Sequence, residues 1–120
     1  MANPITWFEI IGRDGIKLRD FYSNVFGWKM GPPAAEFGNY STVEAEPTGI
    51  GGGIGEGGDQ GGNRTTIYVE VDDLEAYLDK VTKAGGKTVM PVMNVMEGVT
   101  IAMFADPDGN VVGLLKSVPR

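Results

Sequence analysis

Two segments of the chain place an aromatic ring and a carboxylate on alternate residues, the spacing at which side chains share one face of a strand. Trp7 precedes Glu9 in the first segment, and Tyr68 precedes Glu70 in the second. A carboxylate beside a ring in a partly dry pocket can act as a general acid or base, or can grip a cationic or hydroxylated ligand. The alternative is that both acids lie near strand ends, where they are solvated or bonded to Arg19, Arg64 or a lysine.

The composition removes several kinds of chemistry. The 120 residues include no His and no Cys, which excludes disulfides, thiolate catalysis and zinc sites built from Cys and His. Any metal would depend on carboxylate and carbonyl oxygens. The net charge of -6 disfavours phosphate backbones and anionic membranes and favours cationic small molecules. We therefore expect no nucleic-acid partner.

The length and the hydropathy pattern predict one soluble domain. A chain of 120 residues is long enough to bury its own core. No apolar run approaches the roughly 20 residues that cross a bilayer, and the first four residues lack the features of a secretory signal. We expect a cytoplasmic protein that does not bind membranes.

The first half of the sequence predicts the order β-α-β-β-β. Ile5 to Ile11 has the β-branched and aromatic residues of a strand, and Asp14 is placed to cap a helix. That helix ends at Gly27, and its predicted apolar face consists of Leu18, Phe21, Tyr22 and Val25. Three strands are expected after it: Trp28 to Met30, Tyr40 to Glu44 and Gly49 to Ile54.

The second half predicts the same order. Arg64 to Val71 alternates as a strand, and Asp72 with Glu75 suits a capping box. The helix that follows carries an apolar stripe of Leu74, Tyr77, Leu78 and Val81, and Gly85 closes it. The last three strands are Lys87 to Val92, Gly98 to Phe104 and Val111 to Lys116. An offset of 58 superposes Asp14 on Asp72 and Gly27 on Gly85. The helix interiors slip out of register under this offset, so the repeat is one of architecture more than of sequence identity.

Residues 49–62 hold nine of the 19 glycines. We interpret 55–63 as a flexible linker between a first unit of about residues 4–54 and a second of about 64–117 within one domain spanning 1–120. A phosphate-binding loop fits poorly, because no Lys-Ser/Thr pair follows the glycines and the next element is a strand.

Four motifs, taken in order, cover essentially the whole chain: Trp7-Phe8-Glu9-Ile10, the run from Asp20 to Lys29 (DFYSNVFGWK), Gly51-Gly52-Gly53-Ile54 and the turn from Phe104 to Asn110 (FADPDGN). Together they resemble the vicinal oxygen chelate superfamily, which includes glyoxalase I, bleomycin-resistance proteins, methylmalonyl-CoA epimerase and extradiol dioxygenases. The Asp106 to Asn110 segment itself is expected to be a structural turn.

The resemblance implies an α+β fold in which two βαβββ units form a curved mixed sheet around a U-shaped cavity. The histidine ligands of the metal-dependent members fall on Trp7 and Thr66, and the second-unit glutamate falls on Gly113. The first-unit glutamate falls near Gly51 or Gly52. None of these residue types is a usual metal ligand, so we predict no metal site and no cofactor.

We hypothesise a small-molecule-binding protein that resembles bleomycin-resistance proteins and sequesters a cationic or aromatic ligand. The first alternative is a metal-independent glyoxalase-like lyase or isomerase that uses Glu9 or Glu70 as acid or base. A further alternative is a metal enzyme with relocated carboxylates. A homodimer is expected by resemblance. The predicted ligand-binding residues are Trp7, Glu9, Tyr40, Thr66, Tyr68, Glu70 and Met103.

Overall fold

The computed structural model describes residues 2–57 and 62–117, which contain seven strands and three α-helices. They divide into two compact units, one of residues 7–57 and 62–66 and the other of residues 2–6 and 67–117. The strands are β1 (Ile5–Gly12), β2 (Ser41–Val43), β3 (Gly51–Glu56), β4 (Arg64–Val71), β5 (Lys87–Met96), β6 (Val99–Ala105) and β7 (Val111–Lys116). The helices are α1 (Gly15–Phe26), α2 (Ala45–Thr48) and α3 (Leu74–Lys83). The expected α+β class is confirmed.

In the first unit, β1 pairs in parallel with β3, and β3 pairs antiparallel with β2. Their apolar residues meet in a core that includes Ile11, Val43 and Ile54, each at most 6 % exposed. Side chains one residue apart on β1 point to opposite faces. Phe8 therefore lies on the face opposite Trp7, and its ring contacts the Trp28 ring at a centroid distance of 5.5 Å.

Helix α1 begins and ends as the sequence predicts. The Asp14 carboxylate accepts a hydrogen bond from Lys17 N, and Gly27 takes the left-handed conformation with φ 71°. The predicted apolar face is only half right. Phe21 and Val25 are each 55 % exposed, whereas Leu18 and Tyr22 are half-buried and Tyr22 stacks on Trp28 at 5.4 Å.

The strand predicted over Trp28 to Met30 is wrong, so the first unit has two strands after its helix instead of three. The segment does lie beside β2, because Gly31 N donates to Thr42 O and a single bridge joins Met30 to Val43. Prolines 32 and 33 follow at once and have no N–H to extend the ladder. A short 3-10 turn, Ala35–Phe37, takes the chain on towards β2.

Strand β3 extends through Glu56, two residues beyond the prediction. The Glu56 carboxylate accepts from Gly15 N at 2.7 Å and from Asn39 Nδ2 at 3.1 Å. It therefore ties the end of β3 to the first turn of α1. The predicted linker overlaps this strand at positions 55 and 56, and its residues 58–61 lie outside the described residues.

In the second unit, β4 pairs in parallel with β7, and β7, β6 and β5 follow in antiparallel order. Helix α3 packs against this sheet, and the buried core residues are Val71, Leu74, Leu78, Ala102 and Leu114. The order β-α-β-β-β is confirmed for this half.

The N-cap of α3 is Asp73, one residue after the predicted Asp72, and its carboxylate accepts from Ala76 N. Because the cap lies at Asp73, Glu75 occupies the second helical position and cannot complete the capping box. The two caps, Asp14 and Asp73, are therefore 59 residues apart rather than 58.

Strand β5 runs four residues beyond the predicted end at Val92, with irregular register against β6. Pro91 lies within it and cannot donate to a ladder. Among the described residues, no helix is both long enough and apolar enough to cross a bilayer.

Candidate functional site

A chain of hydrogen bonds joins three of the predicted ligand-binding residues in the first unit. Trp7 and Glu9 share one face of β1, and Tyr40 reaches them from the residue before β2. Trp7 Nε1 donates to the Tyr40 hydroxyl at 3.1 Å, and that hydroxyl donates to Glu9 Oε2 at 2.9 Å. Trp7 and Tyr40 are each only partly buried, so the two rings are held in fixed positions while part of their surface stays accessible.

Arg64 completes this cluster. Its Nη2 donates to Glu9 Oε1 at 2.7 Å, and the side chains of Arg64 and Glu9 are 40 % and 11 % exposed. A charge-assisted hydrogen bond of this length is among the stronger polar contacts in proteins. Both carboxylate oxygens of Glu9 thus accept hydrogen bonds from protein donors.

Glycines in β3 make room for the two rings. The strand register pairs Trp7 with Gly51 and Glu9 with Gly53. A Cβ at Gly51 would lie 3.1 Å from Trp7 Cζ3, and a Cβ at Gly53 would overlap the Tyr40 phenol. The close approach of ring to backbone therefore requires glycine at position 53.

The second unit repeats this plan with different chemistry. Tyr68 pairs with Gly113, which pairs in turn with Met103 on the next strand. The Tyr68 ring lies over Gly113, where it would overlap any Cβ. Tyr68 is 3 % and Met103 is 7 % exposed, so within their unit both are core residues.

The seven predicted ligand-binding residues divide between the units. Those in the first unit are Trp7, Glu9, Tyr40 and Thr66, and those in the second are Tyr68, Glu70 and Met103. Thr66 is 3 % exposed. Glu70 is half-buried, and in the strand register it pairs with Leu115 on β7. Its backbone N donates a hydrogen bond to Pro4 O.

The register corrects one position implied by the resemblance. If Trp7 corresponds to Thr66, then Glu9 corresponds to Tyr68, which lies two residues further along its strand. Glu9 pairs with Gly53 and Tyr68 pairs with Gly113, so the counterpart of Gly113 is Gly53 rather than Gly51 or Gly52.

The residues at the family's ligand positions do not fit a divalent ion. They are an indole, a hydroxyl and two glycines, and a ring fills the space beside each glycine. Divalent cations need carboxylate, imidazole or thiolate donors in a converging set. Within residues 2–57 and 62–117, no three acidic side chains converge in a way that would hold a metal ion.

Sequence reasoning named Arg64 only as one possible partner of the acids, although it is the cation that pairs with Glu9 in the cluster. Strand alternation could have indicated Arg64 as a site residue, because Arg64 and Thr66 are two residues apart on β4 and so share one face of the strand. What the sequence lacks is any sign that Glu9 and Arg64, 55 residues apart, are adjacent in space.

The Asp106 turn has the structural role expected for it. Its carboxylate accepts from Asn110 Nδ2, Asn110 N and Asp108 N, each at 2.9 Å, and Gly109 takes a φ of 91°. The hydrogen bonds from Asn110, first from its side chain and then from its backbone, lower the pKa of Asp106 below the ordinary value of 3.8.

Comparison with known proteins agrees with this architecture. Residues 5–114 match the model of the Glyoxalase/Bleomycin resistance protein/Dioxygenase superfamily. Anthracycline biosynthesis protein DnrV of Streptomyces peucetius is 32 % identical over 120 aligned residues, which cover 86 % of this chain and 43 % of DnrV. A glyoxylase-like domain-containing protein of Didymella fabae is 30 % identical, with 92 % of this chain and 91 % of that protein covered.

Among solved structures, methylmalonyl-CoA epimerase from Mycobacterium tuberculosis superposes with a TM-score of 0.71 at 14 % identity, covering 96 % of this chain and 88 % of the epimerase. Such low identity supports a common fold only. The chain belongs to the glyoxalase/bleomycin resistance protein/dioxygenase superfamily, the vicinal oxygen chelate group that the motifs resemble. It spans less than half the length of DnrV.

Proposed function

We propose that this protein binds an aromatic small molecule against Trp7 without a bound metal and without chemical turnover. The observation that carries the proposal is the Trp7–Tyr40–Glu9–Arg64 chain, which holds a partly exposed indole in one orientation. A fixed aromatic ring binds a planar ligand at little entropic cost, because no rotamer freedom is lost on binding.

The character of the ligand follows from the charges in this cluster. Arg64 already neutralises the charge of Glu9. The carboxylate therefore attracts a cationic ligand less strongly than the sequence alone suggested. Stacking on Trp7 is then the main attraction, and the net charge of -6 adds only a general preference for ligands that are also positive. Anthracyclines are planar, polycyclic and carry an amino sugar, and the relative DnrV is named for their biosynthesis.

The same contacts weigh against Glu9 as a catalytic acid or base. A general base must reach the proton that it removes, within about 3 Å or through one water. Glu9 Oε1 and Oε2 are within hydrogen-bonding distance of Arg64 and Tyr40. Arg64 and Tyr40 therefore occupy part of the space from which a substrate could approach these oxygens, whereas binding of a ligand against Trp7 leaves both contacts in place.

Calorimetric titration with doxorubicin in EDTA tests the proposal. We expect saturable binding to the wild-type protein, weakened at least about tenfold by Trp7→Leu, in line with the energy of aromatic stacking contacts. Trp7→Phe keeps a flat aromatic surface and should retain most of the affinity for doxorubicin. Trp28→Phe is the matched control, because Trp28 lies in the aromatic stack beside α1, on the opposite side of β1. Equal affinity for wild type and Trp7→Leu would overturn the proposal.

We also propose that two copies of the chain associate, as members of this superfamily commonly do. Sedimentation equilibrium at several protein concentrations tests this directly. A mass of twice 12.8 kDa is expected at the higher concentrations. A monomer throughout the range would reject it.

A further inference from the structure

The Trp7 indole lies across β3 and extends towards β2. Trp7 pairs with Gly51, and its ring carbon Cζ3 lies 3.1 Å from where a Cβ at Gly51 would be. Its Nε1 reaches the Tyr40 hydroxyl, which occupies the space beside Gly53. The ring therefore covers backbone of β3, the strand between β1 and β2. Residues of β2 that point to this face border any ligand stacked on the ring.

The strand register places Glu44 on this face, directly after β2. Val43 pairs with Gly52 in the antiparallel ladder, so one step further Glu44 lies beside Gly51, on the side away from β1. The backbone of Glu44 is still extended, with φ -67° and ψ 141°. Its side chain therefore points to the same side as that of Thr42, which pairs with Gly53.

Glu44 is the more accessible of two acids on this face. Glu44 is exposed, whereas Glu9 is 9 % exposed and forms an ion pair with Arg64. Adjacent strands lie about 4.8 Å apart, and two such spacings separate the backbone of Glu44 from that of Trp7. The indole fills part of this gap from one side, and the glutamate side chain extends into it from the other. A ligand on the exposed part of the ring is thus within reach of the Glu44 carboxylate.

A carboxylate at the edge of an aromatic surface suits a ligand with a planar part and a positive part. The planar part stacks on Trp7 while a protonated amine approaches Glu44. A neutral ligand of the same shape gains the stacking alone, and an anionic one is repelled.

We propose that Glu44 determines the charge preference of the Trp7 site, so that it selects planar aromatic ligands carrying a protonated amine over neutral ligands of the same shape. This inference rests on the proposed function, because it requires a ligand on Trp7. It adds a local charge contact to the general effect of the net charge of -6.

Doxorubicin and N-acetyldoxorubicin test the charge preference, because acetylation removes the positive charge of the amino sugar and leaves the ring system unchanged. In calorimetry with EDTA at low ionic strength, the wild type should bind doxorubicin at least about threefold more tightly, the size of effect that an exposed ion pair gives. The difference between the two affinities should shrink in about 0.5 M NaCl, because salt screens exposed charges.

Glu44→Gln removes the charge with little change in shape. It should weaken binding of doxorubicin at least about threefold and leave the affinity for N-acetyldoxorubicin unchanged. Asp20→Asn is the matched control, because it removes the same charge from α1. That helix packs on the other face of β1, where Leu18 Cδ2 lies 3.0 Å from the position of a Cβ at Gly12. Both affinities should be unchanged in Asp20→Asn.

Failure of this inference differs from failure of the Trp7 site. If Trp7→Leu weakens binding of both drugs but Glu44→Gln affects the two equally or not at all, the role of Glu44 is rejected and Trp7 remains the binding surface. The same conclusion follows if Asp20→Asn weakens doxorubicin binding as much as Glu44→Gln does. If neither drug binds, or if Trp7→Leu binds both as the wild type does, the Trp7 site and the role of Glu44 are rejected together.

Discussion

The Tyr68 ring lies across Gly113 and occupies the space that any side chain at position 113 would need. In the family's metal-dependent members a glutamate is expected at this position. The same relationship joins Tyr40 to Gly53 in the other unit. Each unit thus places an aromatic ring in the space that a side chain at the glycine would need.

Gly113→Ala tests the packing in this arrangement. The new methyl group overlaps a ring that is 3 % exposed, so we expect a loss of about 2 kcal/mol or more in the free energy of unfolding by urea. Gly62→Ala is the control, because a Cβ at Gly62 meets no atom within 4 Å. In a Tyr68→Leu background the cost of Gly113→Ala should fall, which a double-mutant cycle measures. Equal losses of unfolding free energy for Gly62→Ala and Gly113→Ala would show that the Tyr68 ring moves aside without a cost in stability.

Glu56→Ala should destabilise the first unit. The substitution leaves the buried Gly15 N–H without its acceptor and also releases Asn39 Nδ2. An unsatisfied buried donor costs about 1–3 kcal/mol, and we expect a loss of that size on urea unfolding. Glu56→Gln keeps one acceptor oxygen, so its free energy of unfolding should lie between those of the wild type and Glu56→Ala. The exposed Glu97→Ala should change stability little, and a Glu56→Ala protein as stable as that control would contradict the role of Glu56 as a brace.

The Asp106 turn predicts a defined dependence on pH. Because hydrogen bonds from Asn110 lower the pKa of Asp106 when the chain is folded, its stabilising contribution is complete above the ordinary value of 3.8. That contribution is lost as the pH falls through the folded-state pKa. Asp106→Asn should therefore be less stable than the wild type at pH 7, and the difference should shrink below about pH 4.

Thermal unfolding of the wild type, Asp106→Asn and the control Asp108→Asn across this pH range measures the effect. A difference between wild type and Asp106→Asn that stays constant from neutral to acidic pH would show that the carboxylate's charge contributes nothing to the turn.

The sequence predicted the parts of the structure that local chemistry determines. The cap at Asp14, the left-handed Gly27 and the Asp106 turn each depend on residues within a few positions of one another. The face of α1 was harder, because Phe21 and Leu18 both fit a helical period and only the sheet decides which is covered.

The contacts of the candidate site depend on residues that are distant in sequence. Tyr40 meets Glu9 across 31 positions and Arg64 meets Glu9 across 55. Nothing local to any of the three predicts their contact. Strand alternation correctly placed Trp7 and Glu9 on one face, but it does not reveal that a phenol bridges them.

The most direct measurement is thermal unfolding of chelator-treated protein, first with Zn²⁺, Ni²⁺, Mn²⁺, Fe²⁺ and Co²⁺ added singly and then, in EDTA, with doxorubicin. A ligand at a hundred times its Kd raises the free energy of unfolding by about 2.7 kcal/mol, which shifts the midpoint measurably. We expect no shift with any metal, a rise with doxorubicin, and no such rise in Trp7→Leu. A selective rise with one metal, together with no response to doxorubicin in EDTA, would contradict metal-free binding of an aromatic ligand at Trp7.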